Sequence, residues 1–95
     1  MRVVWTPPAL AGIEAIQDFI AQDSPAAAYK LARDILERTA ALLIGNPMIG
    51  RAGRVAATRE LVIARTPYIV AYRVRDQVEV LAVVHGAREW PEIFE

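Results

Sequence analysis

The chain has no cysteine and only one histidine, His85. Disulfides and thiolate metal sites are therefore excluded, and a single imidazole without clustered carboxylates offers zinc or iron no ligand set. No metal or other cofactor is expected. No apolar run reaches the length of a membrane span. Met1-Arg2-Val3-Val4-Trp5 leads straight into Thr6-Pro7-Pro8, with no signal-like hydrophobic region. A cytoplasmic protein with no membrane role is expected. Net charge is missing too, since 11 basic and 11 acidic side chains cancel. What the chain has in quantity is apolar surface, 55% of its 95 residues. That suits one domain, residues 1–95. A domain of this size buries only about 60–65% of its unfolded surface, so part of the apolar share is expected to cover a partner.

The cancelled charge is segregated. From Asn46 to Arg75, six arginines (Arg51, Arg54, Arg59, Arg65, Arg73, Arg75) stand against one acid, Glu60. From Asp76 to Glu95, five acids stand against Arg88. The guanidinium fork suits phosphate or carboxylate, which makes Arg51, Arg54, Arg59 and Arg65 candidate contacts to nucleic acid or a target protein. The same pattern also fits a solvated sheet face with scattered salt bridges, Arg59 with Glu60 among them.

The periodicities give an element order. Arg2 to Trp5 reads as a short strand. Thr6 caps a helix that Pro7 opens, and Leu10, Ile13, Ile16 and Ile20 recur at helical spacing as far as Gln22. Ser24-Pro25 opens a second helix whose stripe is Ala28, Leu31, Ile35, Thr39 and Leu42, stopped by Gly45 and Pro47. Asn46 to Thr58 reads as a loop. Three β-rich runs follow, Arg59 to Ala64, Tyr68 to Val74 and Val78 to Val84, joined too tightly for anything but antiparallel pairing. Simple alternation puts Tyr68, Val70, Tyr72 and Val74 on one face as core. In the last strand it sets Val78, Val80, Ala82 and Val84 opposite Glu79, Leu81, Val83 and His85. Trp5 and Trp90 are expected to pack near each other or to cap the core. The fold class is α+β, β-α-α-β-β-β, with an antiparallel sheet packed on a helical hairpin.

Four stretches, "WTPPALAGIEAIQDFIAQDSPAAA", "NPMIGRAGRVAATREL", "TPYIVAYRV" and "VEVLAVVHGAREWP", resemble in order and spacing the RelE/ParE superfamily, toxins of bacterial type II toxin–antitoxin modules. The resemblance implies an antitoxin partner. A disordered, acidic and apolar antitoxin segment would add along a helix groove or a sheet edge. The tail residues Trp90, Ile93 and Phe94 are candidate antitoxin contacts.

The superfamily has two activities. RelE-like members resemble ribonucleases that cut mRNA in the ribosomal A site, and ParE-like members poison DNA gyrase. In the nuclease pattern the middle strand carries an arginine where this chain has Ile69, and the terminal tyrosine slot falls near Phe94. Arg88 matches the second arginine slot. If the chain is of the RelE type, Arg59, Arg73, His85 and Arg88 are the candidate catalytic residues, with His85 able to move a proton near neutral pH. Ile69, Phe94 and the lack of net positive charge favour gyrase over the ribosome. A module that only binds its antitoxin is the third alternative.

Overall fold

The computed structural model of the chain describes residues 1–87 and residue 90. Its elements in order are β1 (Val3–Trp5), α1 (Pro7–Ala21), α2 (Pro25–Gly45), β2 (Arg51–Ala52), β3 (Arg59–Val62), β4 (Tyr68–Val74) and β5 (Val78–His85). The sheet has five strands in the order β1-β5-β4-β3-β2. The expected α+β fold and antiparallel meander are present, with two additions. Arg51–Ala52, inside the expected loop, pairs with Arg59 and Glu60 as β2. The first strand joins the far edge, parallel to β5, in the register Val3↔Val78 and Trp5↔Val80. A three-residue apolar strand carries no signal for which edge it joins. The helical hairpin settles the matter by carrying the chain across the sheet between β1 and the meander.

Helix starts follow local chemistry. Ser24 Oγ accepts from the Ala27 N–H at 3.2 Å, a side-chain cap, with Pro25 behind it. Thr6 stands at the N-cap of α1 but its hydroxyl does not cap. Prolines at the first two helical positions leave few N–H groups to accept from. The Thr6 hydroxyl and N–H instead both donate to the Val80 carbonyl, at 2.8 and 3.1 Å. The cap residue thus ties α1 to β5.

The helices bury a stripe slightly rotated from the expected one. Ala9 and Ile13 of α1, and Ala28, Ala32, Ile35, Thr39 and Leu43 of α2, face inward. Leu10 and Leu42 do not; they stand 48% and 40% exposed. The small side chains of Ala9, Ala28 and Ala32 are among those buried, which lets the backbones approach closely. Against this stripe pack Leu61, Ile63, Tyr68, Val70, Tyr72, Val78 and Val80, and Trp5 packs beside them. Trp5 therefore sits by the β1 edge, across the sheet from Trp90, and the two tryptophans do not pair.

The main departure from simple alternation lies in β5. Ala71 pairs with Ala82, but Tyr72 pairs with Val80, so Leu81 is one extra residue. This β-bulge reverses the faces of everything after it. Val83 and His85 come to the helix side, opposite Val70 and Tyr68, while Ala82 and Val84 turn to the outer side. No helix among the described residues is long and apolar enough to cross a membrane.

Candidate functional site

The Gly-Arg-x-Gly-Arg stretch, residues 50–54, has a structural reason for each of its four fixed residues. A Cβ on Gly50 would lie 2.6 Å from the Tyr72 hydroxyl oxygen and 2.9 Å from the Glu60 carbonyl oxygen. Only glycine lets the Gly50 N–H donate to Tyr72 Oη at 2.8 Å. That hydroxyl in turn donates to the Pro47 carbonyl at 2.9 Å, so the central core tyrosine pins the loop. A Cβ on Gly53 would meet Thr58 Oγ1 at 2.2 Å, where the Gly53 N–H closes a turn on the Thr58 carbonyl.

The two arginines of the motif converge on one carboxylate. Successive strand residues face opposite sides, so Arg59 and Glu60 point apart and do not pair with each other. Glu60 faces the outer side and is only 3% exposed. Its Oε1 accepts from Arg51 Nε and Nη2, at 3.1 and 3.0 Å. Its Oε2 accepts from the Arg54 backbone N–H at 2.8 Å and from Arg54 Nε at 3.3 Å. Burial works against the charged form. The Arg54 N–H and the two guanidinium groups outweigh it, and the carboxyl is held below its ordinary value. The Arg54 guanidinium also lies over the Trp90 ring, 3.9 Å from its centroid, which anchors the chain after β5 to this loop.

The other expected site residues are dispersed. Arg59 reaches the opposite side of the sheet, where its Nη1 donates to the carbonyls of Gly50 and Met48 at 2.7 and 3.3 Å. Arg73 is on the outer face and donates through Nε to Glu79; Arg75 lies 3.9 Å from the same carboxylate. His85 lies on the helix side at the far end of the sheet. Its ring meets Tyr68 edge-on with centroids 5.7 Å apart, and its Nδ1 accepts from the Ala87 N–H. With Nδ1 accepting, the neutral ring carries its proton on Nε2, and the residue lines a cleft with Gly12, Ile16 and Phe19. Arg65 is exposed at the β3–β4 turn with a left-handed φ of 67°. Arg88, Ile93 and Phe94 lie outside the described residues.

This arrangement corrects two expectations. Arg59 and His85 share a face but not a place. They pair with Tyr72 and Tyr68, four residues apart along β4 and on opposite sides of it. That is about 13 Å along the strand alone. Arg73 lies on the other face. Nor is the arginine-rich stretch a bare cationic belt, since Arg51, Arg54, Arg59, Arg73 and Arg75 each have an internal acceptor or counter-charge. The outer face is not an open platform either: Ile69, Ala71 and Leu81 are buried there, with the 55–58 turn against the Leu81 end and Gly86 against Ile69.

Sequence reasoning missed two residues that matter. Glu60 is the hub of the loop, and its signal was its isolation, one acid among six arginines. Arg38 of α2 donates to the Ala64 carbonyl at 2.8 Å and ties the helix to the end of β3; nothing local in the sequence marks it.

Comparison with known proteins agrees with this geometry. A family profile described as ParE toxin of type II toxin-antitoxin system, parDE, matches residues 3–90. Y4kP of Sinorhizobium fredii is 40% identical over 93 residues, covering 98% of this chain and 96% of its own. Toxin RelE2 of Caulobacter vibrioides is 42% identical over 88 residues, covering 92% of this chain and 97% of its own. A chain from the structure titled chromosomal ParDE TA system from P. aeruginosa superposes with a TM-score of 0.80 at 30% identity, covering 90% of this chain and 95% of that one. The sheet-on-hairpin fold thus coincides with that of a ParDE structure. The chain belongs to the ParE toxin family and is the toxin of a type II toxin–antitoxin system, with an antitoxin as its partner.

Proposed function

We propose that this toxin acts by binding DNA gyrase rather than by cutting RNA. One observation carries the reading: the groups a metal-free nuclease would need do not converge. Metal-free RNA cleavage requires a base, a charge stabiliser and an acid around one phosphate. Here Arg59 is bonded to backbone carbonyls, Arg73 is paired with Glu79 on the other face, and His85 stands at the far end of the sheet beside Tyr68. The position that carries arginine in the nuclease pattern is Ile69, buried on the outer face. The half-exposed flanks of Arg51 and Arg54, backed by Trp90, supply a rigid surface for a protein target.

The test runs two assays side by side on the purified toxin. One is primer extension on mRNA in a translating extract, and the other is gyrase supercoiling with detection of trapped cleavage complexes. Intact message with stalled gyrase–DNA complexes is the expected outcome, unchanged by His85→Ala. Discrete cuts at A-site codons, lost in His85→Ala and Arg88→Ala, would overturn the gyrase reading in favour of the endoribonuclease. Inactivity in both assays would leave an antitoxin-binding module without toxicity.

A further inference from the structure

β1 covers only the first part of the β5 edge. Its register ends at Trp5↔Val80, and the Thr6 N–H closes the pairing on the Val80 carbonyl before the chain enters α1. One bond fixes the direction of the backbone groups beyond. The Gly86 N–H donates to the Pro67 carbonyl. Bonded and non-bonded pairs alternate along an antiparallel ladder, so Val84 and Ala82 bond toward β4, to Ile69 and Ala71. The amides and carbonyls of Val83 and His85 therefore point the other way, toward the edge that β1 has left. They form a row of donor, acceptor, donor, acceptor, and among the described residues no turn, loop or cap bond takes them.

Gly12 of α1 lies over this row. A Cβ built on it would stand 3.5 Å from the Val83 carbonyl oxygen and 3.7 Å from the Val83 nitrogen, which is ordinary contact. Sterics therefore do not demand glycine here, as they do at Gly50 and Gly53. Propensity favours alanine inside a helix. What the missing methyl does is leave the Val83 groups uncovered. Beside them opens a cleft of about 360 Å³, within the range of small-molecule sites. Its further lining includes three rings, Phe19, Tyr68 and His85. Phe19 is 62% exposed, and the Tyr68 and His85 rings stand edge to face.

We propose that this cleft binds a nucleobase, with the polar edge of the base on the Val83–His85 row and its faces against the aromatic side chains. The inference is independent of the gyrase reading. A base sets donors and acceptors side by side in one plane, as the row requires. It also has a π-face that stacks on aromatic side chains. No lysine or arginine is among the described residues lining the cleft, so the ring and not a phosphate is what it would read. An extended peptide could bond the same row only briefly. The row is two residues long, bounded by Gly86 turning back to Pro67 and by Thr6 on Val80, whereas strands usually run to at least about three residues. A free nucleoside and an unpaired base in a DNA strand share this chemistry, and the test separates them.

The test uses the full chain, freed of its antitoxin and isotopically labelled for amide NMR. The probes are adenosine, cytidine, a short single-stranded oligodeoxyadenylate, ribose phosphate as a control without a base, and a blocked trivaline peptide. The Val83 and His85 amides are expected to shift saturably with a nucleoside, with Kd below about 1 mM, while Ala82 and Val84 move less. Gly12→Ala is expected to weaken binding at least about tenfold without lowering the thermal midpoint, since the new methyl covers the row and suits the helix. Phe19→Ala, an exposed position, is expected to weaken it as well by removing a stacking face, and it keeps the test decisive if Gly12→Ala does not fold. Binding of the oligonucleotide at least about tenfold tighter than adenosine, on the same two amides, supports the proposal with a DNA strand as the source; equal binding supports it with a free nucleoside as the source. The proposal is overturned if neither nucleoside nor oligonucleotide moves these amides by about 10 mM, or if folded Gly12→Ala binds as the wild type does. Ribose phosphate acting as well as adenosine would replace the base by a simple anion. Saturation by the peptide alone would make the row a site for strand addition.

Discussion

The two halves of β3 manage their outer edge in opposite ways. At Arg59 and Glu60 the edge is covered by β2, the carboxylate is buried under two guanidinium groups, and Arg59 holds the backbone of the covering loop. At Val62 to Arg65 no strand among the described residues covers the edge, the Val62 side chain is half exposed, Arg65 is exposed, and Arg38 reaches over only to hold the Ala64 carbonyl. The first half uses its charge within the molecule and the second presents it. An arginine-rich segment therefore does not act as one surface. What each arginine can do depends on whether an acceptor is already within reach.

The contrast can be broken at its strongest point with Glu60→Ala. Both guanidinium groups and the Arg54 N–H then lose their acceptor. Breaking a buried pair typically costs 3–5 kcal/mol. Because Arg51 and Arg54 are half exposed and can rehydrate, about 3 kcal/mol is expected, read as a fall in urea midpoint at unchanged slope. A loss below about 1 kcal/mol would mean that the clamp is ornamental and that the covered half owes its order to β2 pairing alone.

Gly50→Ala attacks the same half through sterics. The new methyl meets Tyr72 Oη and the Glu60 carbonyl oxygen at distances no Cβ tolerates, and neither neighbour is a flexible chain end. About 2 kcal/mol of destabilisation is expected, with the Gly50–Tyr72 hydrogen bond lost. A near-neutral result by thermal unfolding would show that the loop is not pinned by Tyr72.

Acid sharpens the comparison reversibly. The Glu60 carboxyl in the folded chain lies below its ordinary value of 4.5. The folded state thus binds its proton less readily than the unfolded state. Its stabilisation is complete above the unfolded value and is lost as pH falls from there through the folded value. Unfolding measured between about pH 6 and pH 3 should show a steeper loss of stability in the wild type than in Glu60→Gln, which has no charge to lose there. Parallel curves would remove Glu60 from the account of acid sensitivity.

The smallest effect belongs to the open half. Val62→Lys should change the stability of the free toxin by under about 0.5 kcal/mol, because that side chain is half exposed and a lysine there can reach water. A large destabilisation would mean that the bare edge is part of the core after all.

Much of this was legible in the sequence. The two helices, their proline-marked starts and the three-stranded meander followed from punctuation and period, because those signals are local. The choice of edge for β1 was not legible, since a three-residue apolar strand fits either side. Nor was the fate of the arginines. Arg51 and Arg54 read as loop residues and candidate contacts to nucleic acid or a target protein, and only the pairing of β2 with β3 brings Glu60 between them. Arg59 read as a partner for Glu60, yet strand alternation alone sends the two apart. His85 was placed on the wrong face because one extra residue, Leu81, has no mark in a uniformly apolar run. The histidine's neighbourhood therefore depended on a count that only the pairing register supplies.

That extra residue acts as a parity switch. Everything before Leu81 in β5 keeps one assignment of odd and even to the two faces, and everything after it keeps the other. The string Val84-His85-Gly86-Ala87 thus has no fixed meaning by itself. Had the same residues run on without the bulge, alternation from Val80 would send the imidazole to the outer side, away from the Tyr68 ring. Two chains sharing these four letters can present their histidine to opposite sides of the sheet, according to whether the strand ahead of them carries a bulge.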